Sequence, residues 1–236
     1  MANYYLGGYY LILQKTIEYW HNELKIINTA SKCFNEHLFD IWSYSWARND
    51  NSRLERIKED GLIDDATVAA IKNWTDQVSA TDKIGWPNVF ADLETVTEYR
   101  NNFFPHLPDV KIMGIYFEES ELDTVQSILT PKEGFGESGL YSNVKKRMPE
   151  IKNSNQILLG YDLIGIEEGG DFHTFYCHGI LEDLVSRFDL SLNKYGLFND
   201  TDRWEQVTKY LNGGNAMVEP VPWFVSKTVL ETFPVK

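Results

Sequence analysis

Val110-Lys111-Ile112-Met113-Gly114-Ile115-Tyr116-Phe117 is a nearly unbroken apolar run, preceded by Pro108 and closed by Glu118 and Glu119. It is too short for a core helix and carries β-favouring residues, so it reads as a strand buried on both faces. Two other stretches repeat the pattern. Residues 3–14 are apolar and aromatic throughout, interrupted only by Gly7-Gly8, where a bulge or a close backbone approach is expected. Residues 157–166, Ile-Leu-Leu-Gly-Tyr-Asp-Leu-Ile-Gly-Ile, form a third such strand. A weaker strand is expected at 24–30. Phe172–Cys177 is expected either to return as the second arm of a hairpin, after a turn at Glu168-Gly169-Gly170-Asp171, or to join the helix that follows.

Between these strands the apolar spacing changes to three and four. Asp50 or Asn51 can cap a helix over Ser52–Asp60 that Gly61 stops. Asp64 or Asp65 opens a second helix carrying Val68, Ile71, Trp74 and Val78. Trp86-Pro87-Asn88 is expected to open a third, closed by Pro105 and Pro108. Short helices are expected from Ser120, through Leu181–Phe188, and after Asp200 or Thr201 up to Gly213-Gly214. Residues 130–143 read as a Gly- and Ser-rich loop. Pro220 and Pro222 place any strand over 216–225 at a sheet edge. The type of the segment 31–48 is left open by its ambiguous period. The expected fold is α+β: a mixed or antiparallel central sheet in a single domain over 1–236, with a helical block at about 50–104 as an insertion or layer.

The chain has 236 residues, 22 Lys and Arg against 35 Asp and Glu, a net charge of −13 and a pI near 4.8. A nucleic-acid binder needs a basic footprint, and this chain has no such excess. A field of this sign favours basic partners. Aromatic residues make up 14% of the chain, enough to furnish a thick core or a partner-binding surface. Two cysteines argue against a disulfide framework. Met1–Leu6 lacks the basic start of a signal peptide, and the longest apolar run, Tyr9–Leu13, is too short to span a bilayer. A reducing, cytoplasmic setting with no membrane partner is the expectation.

The densest reactive cluster is Asp171-Phe172-His173-Thr174-Phe175-Tyr176-Cys177-His178. His173 and Cys177 share a face in either a strand or a helix. Zinc needs about four ligands, and the remaining cysteine, Cys33, is far away in sequence. A Cys–His nucleophile needs an orienting third group. A packed, inert Cys177 is therefore favoured. Gly134-Phe135-Gly136-Glu137-Ser138-Gly139 matches a dinucleotide fingerprint in letters, but Pro131 precedes it and Glu133 and Glu137 would repel phosphate. Leu140 stands where a nucleophile elbow needs glycine. Lys145-Lys146-Arg147 reads as a solvated helix end.

Acidic residues gather after two of the strands: Glu118, Glu119, Glu121 and Asp123 after the middle one, and Glu167, Glu168 and Asp171 after the next. If the two strands run the same way, both clusters lie at one end of the sheet. Such carboxylates can bind a divalent cation, perform acid–base work, or present a solvated face, the last being favoured over catalysis.

Tyr4-Tyr5-Leu6-Gly7-Gly8-Tyr9-Tyr10-Leu11-Ile12 and Leu159-Gly160-Tyr161-Asp162-Leu163-Ile164-Gly165-Ile166, with the Phe172–Leu184 stretch behind them, resemble the immunity proteins of bacterial polymorphic-toxin and contact-dependent growth inhibition systems. The resemblance implies a cytoplasmic, non-enzymatic protein that binds and neutralises a cognate toxin domain, expected to be basic. It carries over no individual residue. The residues expected to meet that partner are Glu118, Glu119, Glu121, Glu167, Glu168 and Asp171, with no catalytic residue, metal ligand or cofactor assigned. The competing reading is a hydrolase or metal-dependent enzyme built on His173 and Cys177 or on the acidic clusters.

Overall fold

Four long strands of one antiparallel sheet carry the molecule in this computed structural model, and three of them are the apolar runs at 3–14, 110–117 and 157–166. The structure describes residues 3–14, 16–19, 23–26, 28–31, 34–38, 52–79, 81–85, 89–128, 139–152, 155–167, 172–176, 180–214 and 218–232. The strands are β1 (Tyr4–Leu13), β2 (Thr16–Tyr19), β3 (Glu23–Ile26), β4 (Glu36–His37), β5 (Ile84–Gly85), β6 (Val89–Phe90), β7 (Val110–Glu118), β8 (Gln156–Ile166), β9 (Phe172–Thr174) and β10 (Trp223–Glu231). The main sheet has the order β5-β6-β1-β7-β10-β8-β9, with β4 also paired to β1, and every pairing is antiparallel. β2 and β3 pair apart as a hairpin. The fold is α+β with an antiparallel central sheet.

The expected bulge at Gly7-Gly8 is present. The register of β1 against β7 shifts between Leu6 and Gly8. A Cβ on Gly8 would lie 2.8 Å from Val89, so only glycine lets β6 approach there. β8 has its own shift opposite Thr228 and Val229, where Gly160 takes φ +139° against the carbonyl of Phe198.

β1 and β7 are apolar almost throughout because both faces are covered. On one face Leu6, Tyr9, Leu11, Ile112 and Tyr116 pack with Ile57, Ile71, Val96 and Tyr99. Those four come from α1 (Ser52–Glu59), α2 (Asp65–Val78) and α3 (Leu93–Phe103). Gly61 follows α1 at φ +69°, and the Asp64 side chain caps α2 by accepting from the Thr67 amide at 2.7 Å. The third helix starts later than its sequence promised. Val89 and Phe90 form β6, and Asp92 caps α3 by accepting from the Thr95 amide at 2.7 Å. The expected opening, Trp86–Asn88, lies outside the described residues.

The opposite face carries Tyr10, Ile12, Met113, Ile115, Phe117 and Phe224. It is covered by α4 (Leu122–Ile128), which follows a 3₁₀ turn at Glu119–Glu121, and by α5 (Leu140–Lys145). α5 corrects the loop expected over 130–143. Leu140, Tyr141 and Val144 are buried at helical spacing once Gly139 has turned the chain at φ +68°. A third cluster, on the same face as the first but beyond β10, joins Leu163 and Trp223 to α6 (Leu181–Phe188) and α7 (Trp204–Asn212). α7 starts later than expected: Arg203, rather than Asp200 or Thr201, holds the cap position, while the Asp200 carboxylate accepts the Asp202 amide in the turn before it.

The largest correction concerns the C-terminus. β10 is not an edge strand; it lies between β7 and β8. Pro220 and Pro222 precede its first residue, Trp223, so neither removes a ladder hydrogen bond. Among the described residues no helix is long and apolar enough to cross a membrane.

Candidate functional site

β7 and β8 each run antiparallel to β10, so they run in the same direction as one another. Their C-terminal ends therefore lie at the same end of the sheet, Glu118 closing β7 and Glu167 following β8, with β10 between them. Between the two helical covers of this face lies the row Tyr116–Lys227–Tyr161, paired directly across three strands. Two residues further along the strands, where β7 ends, a cleft of about 250 Å³ opens. Tyr4, Glu118 and Val225 line it from the sheet, Ser120 and Glu121 from the 3₁₀ turn, and Thr201, Asp202, Trp204 and Glu205 from the start of α7.

Each wall has a local cause. β7 stops at Glu118, whose extended backbone (φ −67°, ψ 149°) opens the 3₁₀ turn and brings Glu121 round half-buried. Burial raises the Glu121 carboxyl above its ordinary value, and the charge of Glu118 adds to the rise. α7 is anchored by Trp204, whose ring meets Phe198 edge-on at 5.0 Å and is 7% exposed. That anchor holds Asp202 and Glu205 at the mouth. The Trp204 indole N–H is buried with no hydrogen-bond partner among the described residues.

Four acidic residues thus line the cleft, and among the described residues no Lys, Arg or His lines it. Nearby cations are committed elsewhere. Lys227 lies 4.8 Å from the Tyr4 ring and is paired with buried Glu150. Arg203 turns towards Asp189 at 3.9 Å. Tyr4 is held firmly as the neutral phenol, first by burial and then by its hydrogen bond with Tyr161.

Of the residues expected from sequence to meet a partner, Glu118 and Glu121 line the cleft. Glu119 does not: its carboxylate accepts from Asn3 Nδ2 at 2.9 Å and from the Tyr5 hydroxyl at 3.4 Å, tying β1 to the turn. Glu167, exposed beyond β8, lies 3.5 Å from His173 Nε2. Glu168 and Asp171 lie outside the described residues. Asp202 and Glu205 were read only as parts of a helix start, because nothing in the sequence places residue 202 beside residue 118.

The reactive cluster is seen only in part. His173 is in β9, paired across to Gly165, while Cys177, His178 and Cys33 lie outside the described residues. Most of the glycine motif, 134–138, does so too. The basic run is spent locally: Lys145 lies over the Tyr141 ring at 5.8 Å, Lys146 reaches Asp82 at 3.5 Å, and Arg147 reaches Asp123 at 2.7 Å. Among the described residues no group of three or more His, Cys, Asp and Glu is placed to hold a metal ion. Compared with protein-family models, curated proteins and solved structures, the chain matches none.

Proposed function

We propose that the protein is an immunity-type binding protein that captures a basic protein domain, its cognate toxin, by seating a cationic side chain in the cleft at the end of the sheet. One observation carries this reading: four acidic residues, Glu118, Glu121, Asp202 and Glu205, line one cleft, with no basic residue among its described lining residues. Trp204, Tyr4 and Val225 supply an apolar lining beneath them. That combination suits an arginine or lysine, whose alkyl stem packs on apolar surface while its head meets carboxylates. The net charge of −13 adds long-range attraction and speeds the encounter.

Co-expression with the product of the gene immediately upstream tests the reading. A stable complex is expected, with protection of host cells from that product. The double reversal Glu118→Lys with Glu121→Lys places two cations in the cleft and is expected to abolish both. Retention of the complex and of protection by a folded double variant would refute the cleft as the binding site.

A further inference from the structure

On the face of the sheet opposite the cleft, β8 turns a carboxyl into the interior. Asp162 is 1% exposed and stands across from Ser226 of β10. Neutral groups on two sides hydrogen-bond to it. Thr174 of β9 donates through Oγ1 at 3.5 Å, and the irregular segment 28–31 donates through Thr29 Oγ1 at 2.7 Å and the Ala30 amide at 3.4 Å. The charged and titratable groups of the surrounding elements are engaged elsewhere. On β10, Lys227 and Glu231 lie on the other face, with Glu150 and Gln156. On β9, His173 lies 3.5 Å from Glu167. Tyr10 of β1 and His37 of β4 meet ring to ring at 5.0 Å, and Glu36 pairs across to Leu13. Among the helices and loops of this face, Asp123 is taken by Arg147, Lys145 lies over Tyr141, and Lys194 lies over Tyr195. The segment 28–31 has no titratable side chain. Burial lifts the Asp162 carboxyl to about 7, against the opposing pull of its hydrogen bonds.

That carboxyl fastens the root of the β2–β3 hairpin, which pairs with no strand of the main sheet among the described residues. The chain leaves β1 at Gln14 and returns at Asn28, where Gln14 Nε2 donates to Asn28 Oδ1 at 2.5 Å. The Asn28 amide and its Nδ2 both donate to the Tyr195 carbonyl, at 3.2 and 3.0 Å. Next come Thr29 and Ala30, held by Asp162. β9 has a backbone ladder to β8 besides its Thr174 contact, whereas 28–31 belongs to no ladder and buries one apolar side chain, Ala30. It is therefore the part of the Asp162 surroundings that opens at least cost. An ionised carboxylate without a cation is costly in this interior, and opening of 28–31 lets water reach it.

We propose that Asp162 is a proton-operated latch on the root of the β2–β3 hairpin, closed while its carboxyl carries the proton and opened when ionisation draws in water and releases 28–31. This does not depend on the cleft's function. In the open form the carboxyl is an ordinary aspartate near 4, so the closed form binds the proton more tightly. Opening is therefore favoured about tenfold more per pH unit from about pH 4 to pH 7, and levels off above that. Amide exchange of the full chain between pH 4 and pH 8, each rate divided by the intrinsic rate of that amide, is the test. Protection at Asn28, Ala30 and Ser31 is expected to lie below that of the central strand β7 and to fall about tenfold per pH unit up to pH 7. In Asp162→Asn it is expected to stay flat. Protection at 28–31 equal to that of β7 at every pH, protection independent of pH, or an unchanged slope in the folded variant would each overturn the inference. The first two outcomes are read in the unaltered protein, whether or not the variant folds.

Discussion

Carboxylates inside this sheet and carboxylates at its end are treated in opposite ways. Ser226 and Lys227 are neighbours on β10 and point to opposite faces. On one face Lys227 reaches Glu150, whose side chain is 5% exposed, and forms an ion pair covered by Tyr4 and Tyr116. On the other, Asp162 stands beside Ser226 with only neutral donors among the described residues, Thr29 Oγ1 at 2.7 Å, the Ala30 amide at 3.4 Å and Thr174 Oγ1 at 3.5 Å, and burial pushes its carboxyl up to about 7. One interior acid is matched by a cation and the other is held near the point of protonation. Glu118, Glu121, Asp202 and Glu205 receive neither a matching cation nor a proton donor among the described residues. Within a fold that neutralises its interior charge, this leaves an uncompensated negative cleft, whose mutual repulsion an incoming cation relieves.

The largest expected effect tests the matched pair. Lys227→Met leaves Glu150 buried without its cation and is expected to cost about 3–5 kcal/mol in urea unfolding at neutral pH. Adding Glu150→Gln should recover most of that loss. Equal losses in the single and double variants would show that packing, not charge pairing, holds this row.

Asp162 gives the next effect, with a definite sign. Its folded value, about 7, lies above the unfolded value for an aspartate, so the folded state keeps its proton longer than the unfolded state. Stability from this group is therefore intact below about pH 4 and lost as pH rises towards 7. Asp162→Asn stays neutral and is expected to gain on the parent protein by a few kcal/mol at pH 8, at about 1.4 kcal/mol per pKa unit, and by little at pH 4. A stability difference that does not change with pH would contradict a neutralised interior acid.

Smaller effects belong to exposed acids that do local work. Removing the α2 cap by Asp64→Ala is expected to lower the urea midpoint with an unchanged slope. Asp64 is held below the usual carboxylate range by its hydrogen bonds with Thr67. Glu205→Gln at the cleft mouth should change stability by no more than about 0.5 kcal/mol, since it removes a charge with no described partner. A loss comparable to Asp64→Ala would place Glu205 among the structural acids and break the contrast.

Much of this contrast was legible in the sequence, and the missing parts have physical causes. Glu118 and Glu121 could be singled out because they follow a buried strand, and the shared end of β7 and β8 was foreseen on condition that the two strands run the same way. What makes them run the same way is β10. Its buried Ser226, Lys227, Thr228 and Glu231 break the apolar signature of a central strand. Lys227 can be buried there because Glu150 arrives from a distant segment, a pairing that no local pattern announces. Asp202 and Glu205 were hidden for the same reason: the packing of Trp204 on Phe198, rather than any spacing in the chain, carries them to the cleft.

The association rate of the protein with the product of the upstream gene, measured by stopped flow across a range of ionic strength, is the most direct test of a partner-binding cleft. The parent protein is expected to associate fast at low salt and to slow steeply as salt rises. A quadruple variant, Glu118→Gln, Glu121→Gln, Asp202→Asn and Glu205→Gln, is expected to fold normally, associate about tenfold more slowly at low salt, and show a much flatter salt dependence. Equal rates and equal salt slopes for the two proteins would contradict a partner-binding role for the cleft.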